Sequence, residues 1–230
     1  MKKLLLSFSL IIIFTSSLYA VGIGGYTSIT YHNYYPRNVL LGGGIVIDTA
    51  CASDKIFNFR LYAGFDQSCP IEHKEILSRI KFDNIFGFSV FRNDLIRIWI
   101  GPNVGLHYLY TRISYLNNND IFKNNSGSFI YTDYKYRLFN KAFGMPVGIS
   151  FGLNININDY FTLSFDLSGR LNFYFGQLTQ QYFRIYSIPV AGNTVVLPMK
   201  KYNPNYIKGG FDSSCNISFI YRINDKYTKK

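Results

Sequence analysis

Residues 143–156 read FGMPVGISFGLNIN, in which Phe143, Met145, Val147, Ile149, Phe151, Leu153 and Ile155 alternate with Gly144, Pro146, Gly148, Ser150, Gly152, Asn154 and Asn156. Successive side chains of a β-strand leave opposite faces, so this period of two makes one face wholly apolar and the other small and polar. A helix would scatter both sets around its circumference. Beyond a short turn-like stretch at residues 156–160, the alternation resumes: Phe161, Leu163, Phe165, Leu167, Leu171, Phe173 and Phe175 oppose Thr162, Ser164, Asp166, Ser168, Arg170, Asn172 and Tyr174.

Working outward, the same pattern recurs. In residues 95–110, Ile96, Ile98, Ile100, Val104, Leu106, Tyr108 and Tyr110 oppose Arg97, Trp99, Gly101, Asn103, Gly105 and His107, with Pro102 marking an expected bulge on the apolar side. Residues 79–92 set Ile80, Phe82, Phe86, Phe88 and Val90 against Arg79, Lys81, Asp83, Gly87 and Ser89, and residues 55–66 set Phe57, Phe59, Leu61, Ala63 and Phe65 against Asn58, Arg60, Tyr62 and Gly64. Near the end, Ile207, Phe211, Ile217, Phe219, Tyr221 and Ile223 oppose Lys208, Gly210, Asp212, Ser214, Asn216, Ser218 and Arg222. Weaker versions at residues 21–32 and 38–49 bring the count to eight strands. Each reaches the roughly 9 to 11 residues that a tilted membrane-spanning strand requires.

The connections alternate too. Those at residues 50–54, 92–94 and 156–160 are short, whereas those at 33–37, 67–75, 111–138 and 176–206 are longer or polar. Residues 111–138, rich in Asn and Tyr, read as an exposed loop with room for hairpin extensions. Up-and-down barrels of an outer membrane have this asymmetry, with tight turns on the periplasmic side and long loops outside. The expected fold is all-β, an eight-stranded antiparallel up-and-down transmembrane β-barrel.

At the N-terminus, Lys2 and Lys3 precede an apolar stretch to Phe14 and a small-residue run ending at Ala20, the pattern of a secretory signal peptide cleaved after Ala20. Residues 21–230 would form the barrel. The signal's apolar core is about half the roughly 20 residues of a membrane-spanning helix, and no later run reaches that length.

Composition excludes other classes. With 48% hydrophobic and 16% charged residues the chain is not disordered, and three Cys without a CxxC pair give neither a closed disulfide set nor a zinc framework. The excess of 24 Lys plus Arg over 13 Asp plus Glu comes without cations interleaved with aromatics on one face, so nucleic acid is not an expected partner. His32, His73 and His107 are scattered and form no catalytic or metal motif; no cofactor is expected.

The stretch Trp99-Ile100-Gly101-Pro102-Asn103-Val104-Gly105-Leu106-His107-Tyr108, together with the signal peptide and the ordered short and long connections, resembles the small eight-stranded outer-membrane β-barrel family, which includes the transmembrane domain of outer-membrane protein A. The resemblance implies location in the outer membrane and long loops serving envelope structure, adhesion or surface interaction, without enzymatic activity. Members commonly end on a terminal aromatic; here residues 224–230 follow the last strand. A peptidoglycan-binding domain is not expected.

In a barrel of eight strands the lumen is just wide enough to be filled by side chains. The inward face would carry a charge network of Asp48, Arg60, Arg79, Lys81, Asp83, Arg97, Asp166, Arg170, Lys208 and Asp212, with solvation at a rim as the other reading for any one of them. Tyr31, Tyr108, Tyr110, Phe161, Phe219 and Tyr221 suit interfacial girdles. Expected partners are outer-membrane lipid and an extracellular or host ligand met through the loops; Lys200, Lys201, Lys208 and the tail lysines either meet lipid phosphate groups or keep the surface soluble. Two other functions remain open: a soluble lipocalin-like barrel enclosing a hydrophobic ligand, and a lipid-modifying outer-membrane enzyme using His107.

Overall fold

A computed structural model describes residues 21–33, 38–52, 55–68, 75–123, 129–188, 193–202 and 205–225. The expected signal peptide, Cys69, His73 and the tail lysines Lys226, Lys229 and Lys230 lie outside the described residues.

Among the described residues nine strands form: β1 (Val21–His32), β2 (Asn38–Asp48), β3 (Phe57–Ser68), β4 (Glu75–Arg92), β5 (Ile96–Lys123), β6 (Phe129–Asn156), β7 (Phe161–Ile188), β8 (Asn193–Tyr202) and β9 (Asn205–Ile223). From β1 to β7 each strand pairs antiparallel with the next, β7 pairs with β9, and β9 pairs back onto β1 from Val21–Ile223 to His32–Asp212. Eight strands thus close a ring in up-and-down order, as the alternation predicts. The extra strand, β8, lies on the upper half of β7.

Two expected connections are mostly strand. β5 and β6 stay paired through residues predicted as loop, as far as Lys123–Phe129, and β7 runs to Ile188 before turning into β8. Above the apolar band neither sheet face meets hydrocarbon, so the sequence is released from strict alternation while the backbone ladder continues. Register irregularities fall between Ser89 and Phe91 on β4, between Asn117 and Asp120 on β5 and between Tyr182 and Phe183 on β7, whereas Pro102 keeps its place opposite Ile149.

Polarity is inside out relative to a soluble barrel. Ile149, Phe151, Leu167, Leu171, Ile45 and Val90 on the outer face are 54–68% exposed. On β6 the outward set from Phe143 to Ile155 spans about 30 Å once a tilt of roughly 40° is allowed for, which matches the hydrocarbon core of a bilayer. Among the described residues of this band no Asp, Glu, Lys or Arg points outward. At the short-turn end Phe161 stacks on Phe219 at 5.0 Å and Tyr160 on Tyr221 at 6.4 Å; at the other end Tyr31 and Tyr108 are exposed. Tyr110 and Phe161 are half-buried.

Inside, glycines make room for particular large neighbours. A Cβ on Gly152 would strike the indole of Trp99, and one on Gly144 the ring of Tyr174. The interior is also more apolar than the expected mix of glycine and charge: Tyr26, Val46, Tyr62, Ile85, Trp99 and Ile220 form one buried cluster with Cys51, and Leu40, Leu77, Leu109, Ala142 and Tyr174 form another.

Replacing Gly152 with Val is expected to lower unfolding stability by about 1–3 kcal/mol, the usual consequence of overpacking. Gly209→Ala, where nothing lies within 4 Å of the added carbon, should stay within about 0.5 kcal/mol. Denaturant unfolding of the detergent-folded barrel measures both.

Candidate functional site

The site is the lumen itself, and β3 supplies the residue around which its lower half is arranged. Arg60 is fully buried; its Nε donates to Asp48 at 2.7 Å, Nη1 to Asp166 at 2.7 Å and Ser164 at 2.6 Å, and Nη2 to Asn154 at 2.9 Å. The guanidinium lies 4.9 Å from the Trp99 ring, and the Tyr62 hydroxyl donates to Asp166. In the eight-strand ring β3 and β7 are diametrically opposed, so the Arg60–Asp166 pair crosses the lumen.

Above it runs a continuous chain of ion pairs. Asp66 on β3 meets Arg79 and, at 3.0 Å, Lys81; Arg79 reaches Asp212 at 2.9 Å; Asp212 meets Arg170 at 2.6 Å; Arg170 meets Asp83 at 2.5 Å; and Asp83 accepts from His107 Nε2 at 2.9 Å. Ser28 accepts from Lys81 and Thr30 from Arg79, which draws in β1. The Arg79–Asp212 pair joins β4 to β9, again opposite strands of the ring. Side chains therefore bridge the full diameter at two levels.

A buried ion pair is retained without net loss only when its remaining donors and acceptors are also satisfied. Here the guanidinium groups of Arg60, Arg79 and Arg170 are each shared between two carboxylates, and buried charge balances: among the described residues six buried Asp (48, 66, 83, 166, 212, 225) face five buried Arg (60, 79, 97, 170, 222) and Lys81.

Nine of the ten expected network residues are buried on the inward face. Eight of them make the ion pairs above, while Arg97 turns to the backbone, donating to the carbonyls of Ala50, Lys55 and Ile56. Lys208 is corrected: it is exposed, because β9 runs beyond the last β1–β9 pair, His32–Asp212, and among the described residues no part of β1 lies alongside its position. Asp66 belongs to the chain although the expected set omits it. The inward series Asn58, Arg60, Tyr62, Gly64 carries one step further to reach it. His107 is fully buried beside Asp83, away from both membrane and rim.

The short turn after β2 folds into the lower mouth. Ala50, Cys51 and Ala52 are buried in the barrel, held by Asn154 donating to the Cys51 carbonyl at 2.8 Å, by Asp225 accepting from the Ala52 amide at 2.9 Å, and by Arg97 on Ala50. Burial pushes the Cys51 thiol well above its ordinary pKa. Cys215, also free, faces outward.

A closed ring with an apolar outer belt, a charge-bridged lumen and a turn folded into one mouth defines the class: a membrane-spanning β-barrel. The chain is similar in fold to a major outer membrane protein from Thermus thermophilus, at 11% identity and TM-score 0.45 over 89% of this chain and 99% of that one. Weaker likenesses are to the outer membrane protease OmpT of Escherichia coli (7% identity, TM-score 0.25, 89% and 96% covered) and to the CymD monoaromatic hydrocarbon channel (9%, 0.28, 88% and 88%). No family model and no curated protein matches the chain.

Asp212→Ala removes the carboxylate shared by Arg79 and Arg170, and is expected to cost about 3–5 kcal/mol of unfolding free energy. A Cys69→Ser/Cys215→Ser variant, with Cys51 as its one thiol, should resist a water-soluble maleimide in the folded barrel. Because burial holds that thiol protonated, raising the pH from 7 to 9 should not speed labelling as it does for a free cysteine near its ordinary pKa. Boiling in dodecyl sulfate should expose it, and mass spectrometry counts the adduct.

Proposed function

We propose that the chain is an integral outer-membrane β-barrel, non-enzymatic and closed to bulk solute, whose long outer strands act at the cell surface in envelope structure or surface interaction. The observation that carries this reading is the pairing of opposites: large apolar side chains exposed around the ring, and ionic groups buried within it. Exposed apolar surface this extensive requires a non-aqueous partner. Strands can cross hydrocarbon only as a closed barrel, since an unpaired edge would leave backbone groups unsatisfied.

The lipocalin-like alternative needs the reverse orientation, with an apolar chamber inside; the lumen here holds Arg60, Arg79 and Arg170 instead. The lipid-modifying alternative needs His107 within reach of lipid, and its burial beside Asp83 argues against that. Support for a surface role comes from the unequal strand lengths. β5, β6 and β7 each run 28 residues, against 12 for β1 and 11 for β2, so a sheet of β5 to β8 rises on one side of the rim.

Ile149 lies mid-belt, opposite Gly169 and Pro102. Ile149→Arg is expected to destabilise the barrel by about 2–4 kcal/mol in phospholipid vesicles, the cost of a cation near the bilayer midplane. An exposed substitution on a water-facing surface would change stability by no more than about 0.5 kcal/mol. A value in that smaller range, or recovery of the protein from cells without detergent, would sink the membrane reading.

A further inference from the structure

Four outward side chains at the outer edge of the belt fall in one register row across four strands: Tyr108, Phe143, Phe175 and Ile207. They are 42%, 47%, 47% and 76% exposed and wall a cleft of about 660 Å³. The next row, on the side away from the membrane, is Tyr110, Lys141, Gln177 and Asn205, of which Lys141, Gln177 and Asn205 also line the cleft. Beside Ile207, Gly209 faces outward with nothing within 4 Å of where a side chain would begin, which leaves the β7–β9 groove open below the cleft. Among the described residues the lining holds one cation, Lys141, and no carboxylate.

The cleft is continuous with the lipid-facing belt, so its lower row meets acyl chains while its upper row sits at headgroup depth. An apolar row capped by an exposed cation and two amides is the complement of one kind of occupant. We propose that this cleft holds an anionic lipid, with an acyl chain lying across Tyr108, Phe143, Phe175 and Ile207 and the headgroup phosphate at Lys141, accepting from the side-chain amides of Gln177 and Asn205. The proposal rests on the membrane-spanning reading above. It adds what that reading leaves open: a fixed lipid site at one place on the circumference, chosen by headgroup charge.

The test uses residues 21–230 folded in neutral detergent, with phosphatidic acid and phosphatidylcholine of identical chains added in equal amounts and the bound lipid counted by native mass spectrometry. Wild type should retain phosphatidic acid about fivefold over phosphatidylcholine, the preference that one lysine near an anionic surface supplies. Lys141→Gln should abolish the preference, and Gly209→Leu should lower retention of both lipids by obstructing the groove. Lys55→Gln removes an exposed cation at the opposite end and should leave the preference intact, which separates the site from general charge attraction. Equal retention of the two lipids by wild type, or an undiminished preference in Lys141→Gln, would overturn the proposal. Displacement of phosphatidic acid by millimolar inorganic phosphate would also overturn it, making the position a free-anion site. None of these results bears on whether the protein spans a membrane, which fractionation and Ile149→Arg decide separately.

Discussion

Satisfaction of the backbone in a medium without water is the constraint on which everything else depends. Hydrocarbon offers no hydrogen bonds, so each strand must find two partners and the sheet must return on itself. The β9–β1 ladder, running from Val21–Ile223 to His32–Asp212, makes that closure between the two ends of the described chain. Once eight strands close, the lumen diameter follows, and it is too narrow for a wide aqueous channel and too wide to be left empty. The glycines, the buried tyrosines, Trp99 and the ionic chain are the solution to that filling problem.

Ionic filling is not the obvious choice, since isolated buried charge is costly and apolar packing of equal volume is often as stable. Here the two are interleaved. Aromatic and aliphatic clusters around Tyr26–Trp99 and Leu40–Tyr174 occupy part of the volume, and the charges lie among them as closed sets, each guanidinium of Arg60, Arg79 and Arg170 divided between two aspartates. Long side chains reach across a lumen that short apolar ones from a single wall cannot span. An arginine on β3 meeting an aspartate on β7 ties opposite walls together at one point, which an isoleucine on either strand is too short to do.

How much of this was legible in the sequence follows from what enforces each feature. The belt residues of β6, from Phe143 to Ile155, had to be apolar at every second position because lipid surrounds them, so the face of each strand could be read directly. Above the belt that pressure ends. Residues 112–123 and 129–140 continue the same ladder with alternation only in short runs such as Asp133 to Leu138, and their Asn and Tyr content reads as loop. Within the site, membership of the inward face came from parity alone, which placed Arg60, Arg170 and Asp212 inside. Partnership did not, since Arg79 meeting Asp212 depends on which strands oppose each other and at what height. Lys208 has the inward parity, yet lies where β1 no longer runs alongside to enclose it. Asp66 was readable by one more step of two.

The division between parity and register also explains why the interior is so particular. A slide of two residues between neighbouring strands leaves every apolar side chain facing lipid, so the belt cannot resist it; only a slide of one would turn the faces over. Something else must fix the height of each strand, and the lumen supplies it. Sliding β7 by two against β6 would bring Tyr174 away from the space left by Gly144 and set a neighbouring inward side chain there instead. The same slide would carry Asp166 and Arg170 off Arg60 and Asp83 together. A single misplaced strand would thus leave several buried charges unpaired at once, each costing more than the loss of one surface contact. The lipid-facing residues select the barrel as a class of structure, and the ionic and glycine-matched interior selects one register within that class.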